Sequence, residues 1–348
     1  MTNRERMIAV LEGEMPDRIP LVTYDDYYRP RNDPLWDTLF QKGLCLMPRV
    51  PIVNLEMDEV ERSVETFTKD GRACEVITLR TAKGAIRQLS LDRWVQEYFL
   101  KTPEDYRVMT HIVRHTRLAY APEAFLAWDR DAGARGLPIV KMNRSPLQTV
   151  VVDYAGLENY AYHLADCGEE MEELLEALEA QLLRYCALVA GGPGRYLQLR
   201  ENLTAEQAGP ARYRKYHMPV YNKILPMLHQ AGKKVFAHYD GKLAGLAGLI
   251  AETELDGIDS LTAPPEGDMT VAEARAALPD KILWANLNIS EYALPPEQLR
   301  EKVQACARQG APDGRRFWFQ LSEDLPVNWK QSLPVVLDAL AAMPTHRP

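Results

Sequence analysis

The segment best suited to chemistry is Ala237-His238-Tyr239-Asp240-Gly241. It ends an apolar run at 234–237, and alternation along a strand puts His238 and Asp240 on one side, two residues apart. An imidazole and a carboxylate held that way can jointly grip Zn²⁺, with one or two further ligands from other strands. Glu323 and Glu201 are the candidates for a third and a fourth ligand. The plainer reading is an ordinary hydrogen-bonded pair that closes the strand.

Polar ends of this kind recur along the chain. Asn143 and Arg144 follow the apolar run 138–142, and Arg200, Glu201 and Asn202 follow 196–199. Asp259 and Thr262 sit at the end of 257–261, Asn286 and Asn288 after 281–285, and Gln320, Ser322, Glu323 and Asp324 at the end of 316–320. If these ends converge on one mouth, they make a polar pocket. Other signals are weaker. His111-Ile112-Val113-Arg114-His115 has the i, i+4 spacing of a zinc-binding helix but lacks a Glu beside the first His, so it reads as two surface histidines. His163, His217 and His229 fall in helical stretches, where packing is the simpler role. The aromatic set from Tyr24 to Trp36 suits either barrel-end packing or a substrate wall. No Gly-x-Ser-x-Gly elbow and no P-loop occurs.

Bringing those ends together takes parallel strands joined by crossover helices, and from residue 136 the sequence alternates the two. Each of the six apolar runs is followed by amphipathic periodicity, near 156–166 and 169–190, then 209–231, 242–252, 270–278, 296–309 and 328–342. The stretch 169–190 is the clearest, with Met171, Leu174, Leu175, Leu178, Leu182 and Leu183 on one face and many glutamates on a solvated one. A short strand at 19–22 and one near 50–56 bring the total to eight. The fold class is therefore α/β, a (β/α)8 TIM barrel. The N-terminal region is elaborated. It opens on a capping box, Thr2-Asn3-Arg4-Glu5. Segments 64–68, 73–80 and 85–89, broken by Asp70-Gly71 and Lys83-Gly84, predict β-hairpins, and Thr102-Pro103-Glu104-Asp105 starts a helix. One domain is expected over 1–348, elaborated through 1–135 and regular through 136–348. A doubly wound sheet is the rival, but no Gly-rich dinucleotide turn follows any strand, and Gly191-Gly192-Pro193-Gly194 precedes one as a plain turn.

Composition narrows the function. The 348 residues are 46% hydrophobic, too apolar for a disordered chain, and the net charge of −8 argues against a nucleic-acid partner. No apolar run reaches the ~20 residues of a membrane span and no charged-then-apolar leader opens the chain, so a cytoplasmic protein is expected. Cys45, Cys74, Cys167, Cys186 and Cys306 are odd in number and include no CxxC pair. They read as free buried thiols.

Several segments together resemble the uroporphyrinogen decarboxylase-like superfamily, specifically its corrinoid-dependent methyltransferase branch. They are Thr2-Asn3-Arg4-Glu5-Arg6 with Pro16-Asp17-Arg18-Ile19-Pro20, Lys101-Thr102-Pro103-Glu104-Asp105-Tyr106, His238-Tyr239-Asp240-Gly241, Pro265-Glu266-Gly267-Asp268-Met269-Thr270 and Ser322-Glu323-Asp324-Leu325-Pro326. The resemblance spans nearly the whole chain and implies a (β/α)8 barrel. True uroporphyrinogen decarboxylases carry Arg-Gln-Ala-Gly-Arg-Tyr near the N-terminus. This chain has Tyr24-Asp25-Asp26-Tyr27-Tyr28 there, so porphyrinogen decarboxylation is not implied. Relatives that methylate coenzyme M bind zinc through His-x-Cys and a later Cys. Here His238 matches the His, Asp240 stands at the first Cys and Glu323 falls near the second.

Oxygen ligands in place of thiolates leave a zinc ion harder, a stronger Lewis acid toward an ether oxygen. The resemblance thus implies O-demethylation: methyl transfer from a methoxylated, aromatic small molecule to the Co(I) corrinoid of a separate partner protein. No Asp-x-His-x-x-Gly cobalamin signature lies in the chain itself. On this reading His238, Asp240, Glu201 and Asn202 carry catalysis, and Tyr24, Tyr27, Arg144, Asn286 and Gln320 contact substrate. His238, Asp240 and Glu323 would hold the zinc. The alternatives are a methylcorrinoid-to-thiol methyltransferase, against which the lost cysteines count, and a non-catalytic ligand-binding barrel. A homodimer is compatible with the sequence, which does not establish it.

Overall fold

In the computed structural model, which describes residues 1–25, 33–321 and 325–343, the strands in chain order are β1 (Leu21–Tyr24), β2 (Leu44–Met47), β3 (Arg49–Val50), β4 (Val53–Glu56), β5 (Glu61–Lys69), β6 (Arg72–Thr81), β7 (Gly84–Leu91) and β8 (Trp94–Glu97). Then come β9 (Arg117–Tyr120), β10 (Ile139–Met142), β11 (Tyr196–Leu203), β12 (Lys234–Tyr239), β13 (Gly257–Thr262), β14 (Ile282–Asn286) and β15 (Phe317–Gln320). Contacts divide the chain into two units that interleave in sequence. The first is Met1–Ile52, Pro122–Met142 and Gly192–Pro348; the second is Val53–Ala121 and Asn143–Gly191.

The first unit is built on one parallel sheet, ordered β2-β1-β15-β14-β13-β12-β11-β10-β3. β2 and β3 are a single stretch of chain interrupted at Pro48, which has no N–H to give a ladder. β2 pairs with β1 and β3 pairs with β10, so the sheet closes on itself as an eight-stranded barrel. The TIM barrel expected from the sequence is the fold. Its second strand differs from expectation: it occupies 44–50, not 50–56. Leu44, Cys45, Leu46 and Met47 are completely buried, whereas β4 is largely exposed and pairs antiparallel with β9 in the second unit. Burial, which apolar content alone does not report, separates the two runs. Closure is tight at Gly136, where Leu137 N donates to the Leu46 carbonyl at 2.9 Å. A Cβ on residue 136 would overlap that carbonyl oxygen, so glycine is required there.

Alternate strand residues fill the barrel. Val22, Cys45, Ile139, Tyr196, Phe236, Trp284 and Trp318 share one apolar cluster with Met7, Val10 and Leu11 of the first helix, Asn3–Leu11. Phe236, Trp284 and Trp318 pack in series, with successive ring centroids 4.6 Å apart. The helix starts at the predicted Thr2/Glu5 capping box. Lys234 Nζ donates to Leu11 O at 3.0 Å, and Glu12 accepts from Arg195 at 2.8 Å and Tyr196 at 2.6 Å. These bonds fasten it across the N-terminal ends of β11 and β12.

The second unit carries the antiparallel sheet β5-β6-β7-β8, in agreement with the expected hairpins. Lys69 faces Arg72 across Asp70 and Gly71, both at positive φ, the two-residue turn that matches strand twist. The helix Pro103–His115 begins at the capping box of Thr102 and Asp105. Ion pairs from Arg107 to Glu170 and from Arg114 to Glu173, each 2.8 Å, join it to the helix Gly168–Ala190. Part of the glutamate-rich face is therefore engaged by arginine. All five cysteines are buried free thiols, and burial lifts Cys45 to about 11 and Cys186 to about 12. Among the described residues, no helix is long and apolar enough to cross a membrane.

Candidate active site

The residues two positions beyond the interior aromatic layer are polar on each strand. Gln198, His238, Asn286 and Gln320 follow Tyr196, Phe236, Trp284 and Trp318, and strand alternation turns all four inward. Asp259 joins from β13, in register with His238, and Tyr24 from β1. All six are buried.

His238 is the centre. Its Nδ1 lies 2.8 Å from Asp259 Oδ2 and its Nε2 3.2 Å from Asp240 Oδ1. Asp259 also accepts from the Tyr24 hydroxyl at 3.1 Å and from the Gln198 amide. Burial and the charge of Asp259 push the Tyr24 hydroxyl well above its ordinary value, so it acts as a neutral donor. The Arg49 guanidinium stacks 3.5 Å over the Tyr24 ring. Asp240 is the open side of the group, its side chain 32% exposed against 0% for Asp259. Partial burial pushes the Asp240 carboxyl up. Hydrogen bonds from His238, Asn202 and Ser260, with the charge of His238, outweigh this and hold it below the usual carboxylate value.

Two backbone irregularities build this shell. The register of β11 against β12 shifts between Leu199 and Leu203, and that of β13 against β14 between Ile258 and Leu261. Asn202 (φ 49°) and Ser260 (φ 71°) sit in those shifts in the left-handed region, which costs a non-glycine residue on the order of 1–3 kcal/mol. Asn202 turns its side chain to Asp240, Nδ2 donating to Oδ2 at 2.8 Å, and Ser260 adds to the polar surroundings that hold that carboxyl low.

Of the residues expected from the sequence, His238, Asp240 and Asn202 meet directly, and Tyr24 joins through Asp259. Asn286 Nδ2 donates to Ser260 Oγ at 2.9 Å. The Gln320 amide is buried with neither end paired among the described residues, and Gln198 Oε1 and Asn286 Oδ1 are likewise unpaired. That is hydrogen-bonding capacity a polar ligand can take up. Glu201 is a correction. Alternation from the inward Gln198 puts Glu201 on the outer face of β11 with Leu197 and Leu199, and its buried carboxylate there accepts from Tyr221 at 2.9 Å. Tyr221 in turn meets Tyr239 at 2.9 Å, and Tyr239 meets Tyr213 at 3.0 Å. Arg144 belongs to the second unit, where it pairs with Asp153 at 3.2 Å. Tyr27 and Glu323 lie outside the described residues. Sequence reasoning noted Asp259 only as a strand end and gave it no role. The available signal was a carboxylate inside an apolar strand, which buries only when it is partnered.

The π-helical turn Tyr213–His217 stacks His217 on Tyr213, ring centroids 5.4 Å apart. Complete burial lowers the His217 imidazole to about 3, so it is neutral when folded, while an unfolded chain takes up the proton near 6.5. Its contribution to stability is whole above pH 6.5 and is lost as the pH falls toward 3. Between pH 7 and pH 5 the loss is expected to be about 2 kcal/mol, read from urea unfolding, and His217→Phe should remove that part of the pH dependence. An identical slope in the variant would refute it.

His238 Nε2 and Asp240 Oδ1, 3.2 Å apart, have about the separation of two donors on one tetrahedral Zn²⁺ with bonds near 2 Å. The Asp259 carboxylate behind Nδ1 is the partner a ligating imidazole ordinarily has. These residues fit a zinc ion with two ligands. Among the described residues, no third imidazole, thiolate or carboxylate completes a compact group with that pair.

The uroporphyrinogen decarboxylase family model matches residues 95–332. No curated protein sequence matches the chain. Among solved structures, a methyltransferase from Methanosarcina mazei aligns over 98% of this chain and 98% of its own, with TM-score 0.59 and 11% identity. A xylose isomerase domain protein from Planctomyces limnophilus aligns over 93% and 95%, with TM-score 0.41 and 11% identity. At such identity the first likeness speaks to the fold, a barrel matched from end to end. The family match runs over more than half of the chain and takes in β10 to β15 with His238, Asp240 and Asp259, so this chain belongs to the uroporphyrinogen decarboxylase family.

Proposed function

We propose that the chain is a methyltransferase of a corrinoid-dependent system. It removes the methyl group of a methoxylated aromatic compound, with the reduced cobalt of a corrinoid on a separate partner protein as acceptor. The observation that carries this reading is His238 held between the buried Asp259 and the partly exposed Asp240 among polar strand ends. When the CH₃–O bond breaks heterolytically, the methyl group passes to the acceptor and the electron pair stays on oxygen. No protein nucleophile is needed; the oxygen needs a proton or a positive charge.

In this reading His238 supplies the proton. With Nδ1–H given to Asp259, a protonated ring is stabilised by carboxylates on both nitrogens and can deliver the Nε2 proton to a phenolate oxygen. Asn202 keeps Asp240 turned toward Nε2, and the Gln320 amide and the Gln198 and Asn286 carbonyl oxygens, unpaired among the described residues, offer contacts that orient a substrate. Zn²⁺ bound by His238 and Asp240 would supply Lewis-acid stabilisation of the same oxygen. The end-to-end likeness to a methyltransferase fold supports the reaction class.

The test is incubation with a corrinoid protein reduced to Co(I) and a panel of methoxyarenes. Methylated corrinoid and the free phenol are expected in equal amounts. Absence of a methyl signal with every methoxyarene overturns the reading, and methyl transfer from methylcorrinoid to a thiol would assign the opposite direction.

A further inference from the structure

We propose that Glu59, His111 and His115 in the second unit bind a divalent first-row transition-metal ion, with Zn²⁺ as the natural occupant by ligand chemistry. Their donor atoms lie within 4.8 Å of one another, and all three residues belong to one unit. The histidines stand one turn apart on the same face of the helix Pro103–His115, their ring centroids 4.1 Å apart. His115 Nδ1 is 2.7 Å from the His111 carbonyl oxygen. A carbonyl only accepts, so Nδ1 carries the hydrogen and the neutral ring presents a bare Nε2 lone pair. Such a backbone contact on the far nitrogen is how ligating imidazoles are usually oriented.

Two further features favour a cation. His115 is the last residue of its helix, at the negative end of the backbone dipole. Glu59 arrives from the turn between β4 and β5 and brings the carboxylate that the helix lacks, because position 112 is a buried isoleucine. Neighbouring Asp58 is engaged elsewhere, with Arg117 at 2.9 Å. Two imidazoles with one carboxylate suit zinc, cobalt, nickel or copper; calcium and magnesium prefer all-oxygen sites. Binding would tie the β4–β5 turn to the end of the helix. The site is independent of the proposed methyl transfer and shares no residue with it.

The test is calorimetric titration of the whole chain with Zn²⁺ in a His238→Ala background, which silences the barrel mouth. One equivalent is expected to bind there and to be lost when His111→Ala and His115→Ala are added. Glu59→Gln alone, a near-isosteric change on an exposed side chain, should weaken affinity at least about tenfold, the size of loss seen even for groups that only support a ligand. Far-UV circular dichroism checks folding. If the double histidine variant does not fold, Glu59→Gln decides the matter. No binding by the His238→Ala protein, or unchanged affinity in Glu59→Gln, overturns the proposal.

Discussion

Asp259→Asn is expected to lower methyl transfer by about 10³-fold, within a range of about 10² to 10⁴, while the protein stays folded. Asp259 Oδ2 accepts from His238 Nδ1 at 2.8 Å and its oxygens also receive Tyr24 and Gln198. An amide in that ring of donors turns an N–H toward the imidazole, which then accepts at Nδ1 and carries its hydrogen on Nε2. The tautomer is reversed. As a neutral ring it no longer presents a bare Nε2 to a metal, and the protonated ring loses its buried counter-charge. The same exchange behind a catalytic histidine in serine proteases costs about 10⁴ in turnover with geometry intact. A carboxylate that only supports a metal ligand typically costs 10- to 100-fold. The size of the loss therefore reports which role His238 plays. Asp259 is a positioning residue, so the fall should appear in kcat more than in KM, with a shifted pH profile, while His238→Ala falls to background. Turnover within threefold of wild type would show that His238 does not act through this hydrogen bond.

Trp284→Ala is expected to cost about 3–5 kcal/mol of stability, the usual range for removing a large aromatic from a core. Trp284 is completely buried between Phe236 and Trp318, in the layer directly below the polar shell. Barrel strands are hydrogen-bonded on both edges and cannot collapse far into the void, so most of the cavity should persist. The measurement is the urea midpoint at unchanged m-value. Trp284→Phe should cost much less, because the indole Nε1 has no hydrogen-bond partner among the described residues to lose. A loss under about 1 kcal/mol in the alanine variant would mean the layer repacks freely, contrary to a rigid floor under His238.

Much of this architecture is legible in the sequence for a plain reason. Six alternations of apolar run and amphipathic helix follow one another, and helices and strands that must each bury a face have few ways to close. The capping boxes at Thr2 and Thr102 and the turn at Asp70-Gly71 are local chemistry, and the structure repeats them residue for residue. The second barrel strand is not legible. Its residues straddle Pro48, and burial separates them from the half-polar run that follows. The pairing of His238 with Asp240 follows from period-two alternation and is present. Glu201 obeys the same rule: counted from the inward Gln198 it falls on the outer face, where it meets Tyr221.

By itself, then, the sequence determined the barrel, the hairpin-bearing N-terminal part, the strand ends where polar groups gather and the His238–Asp240 pair. Each is written in short-range periodicity or local hydrogen bonding. Only the tertiary structure decided that Asp259 and Tyr24 back the imidazole, that Asn202 grips Asp240, that Glu201 turns to the tyrosines, and that Glu59 meets His111 and His115. Those contacts depend on strand register, on bulges and on chain segments far apart in sequence. They are fixed by how each unit packs within itself, which no window of neighbouring residues encodes.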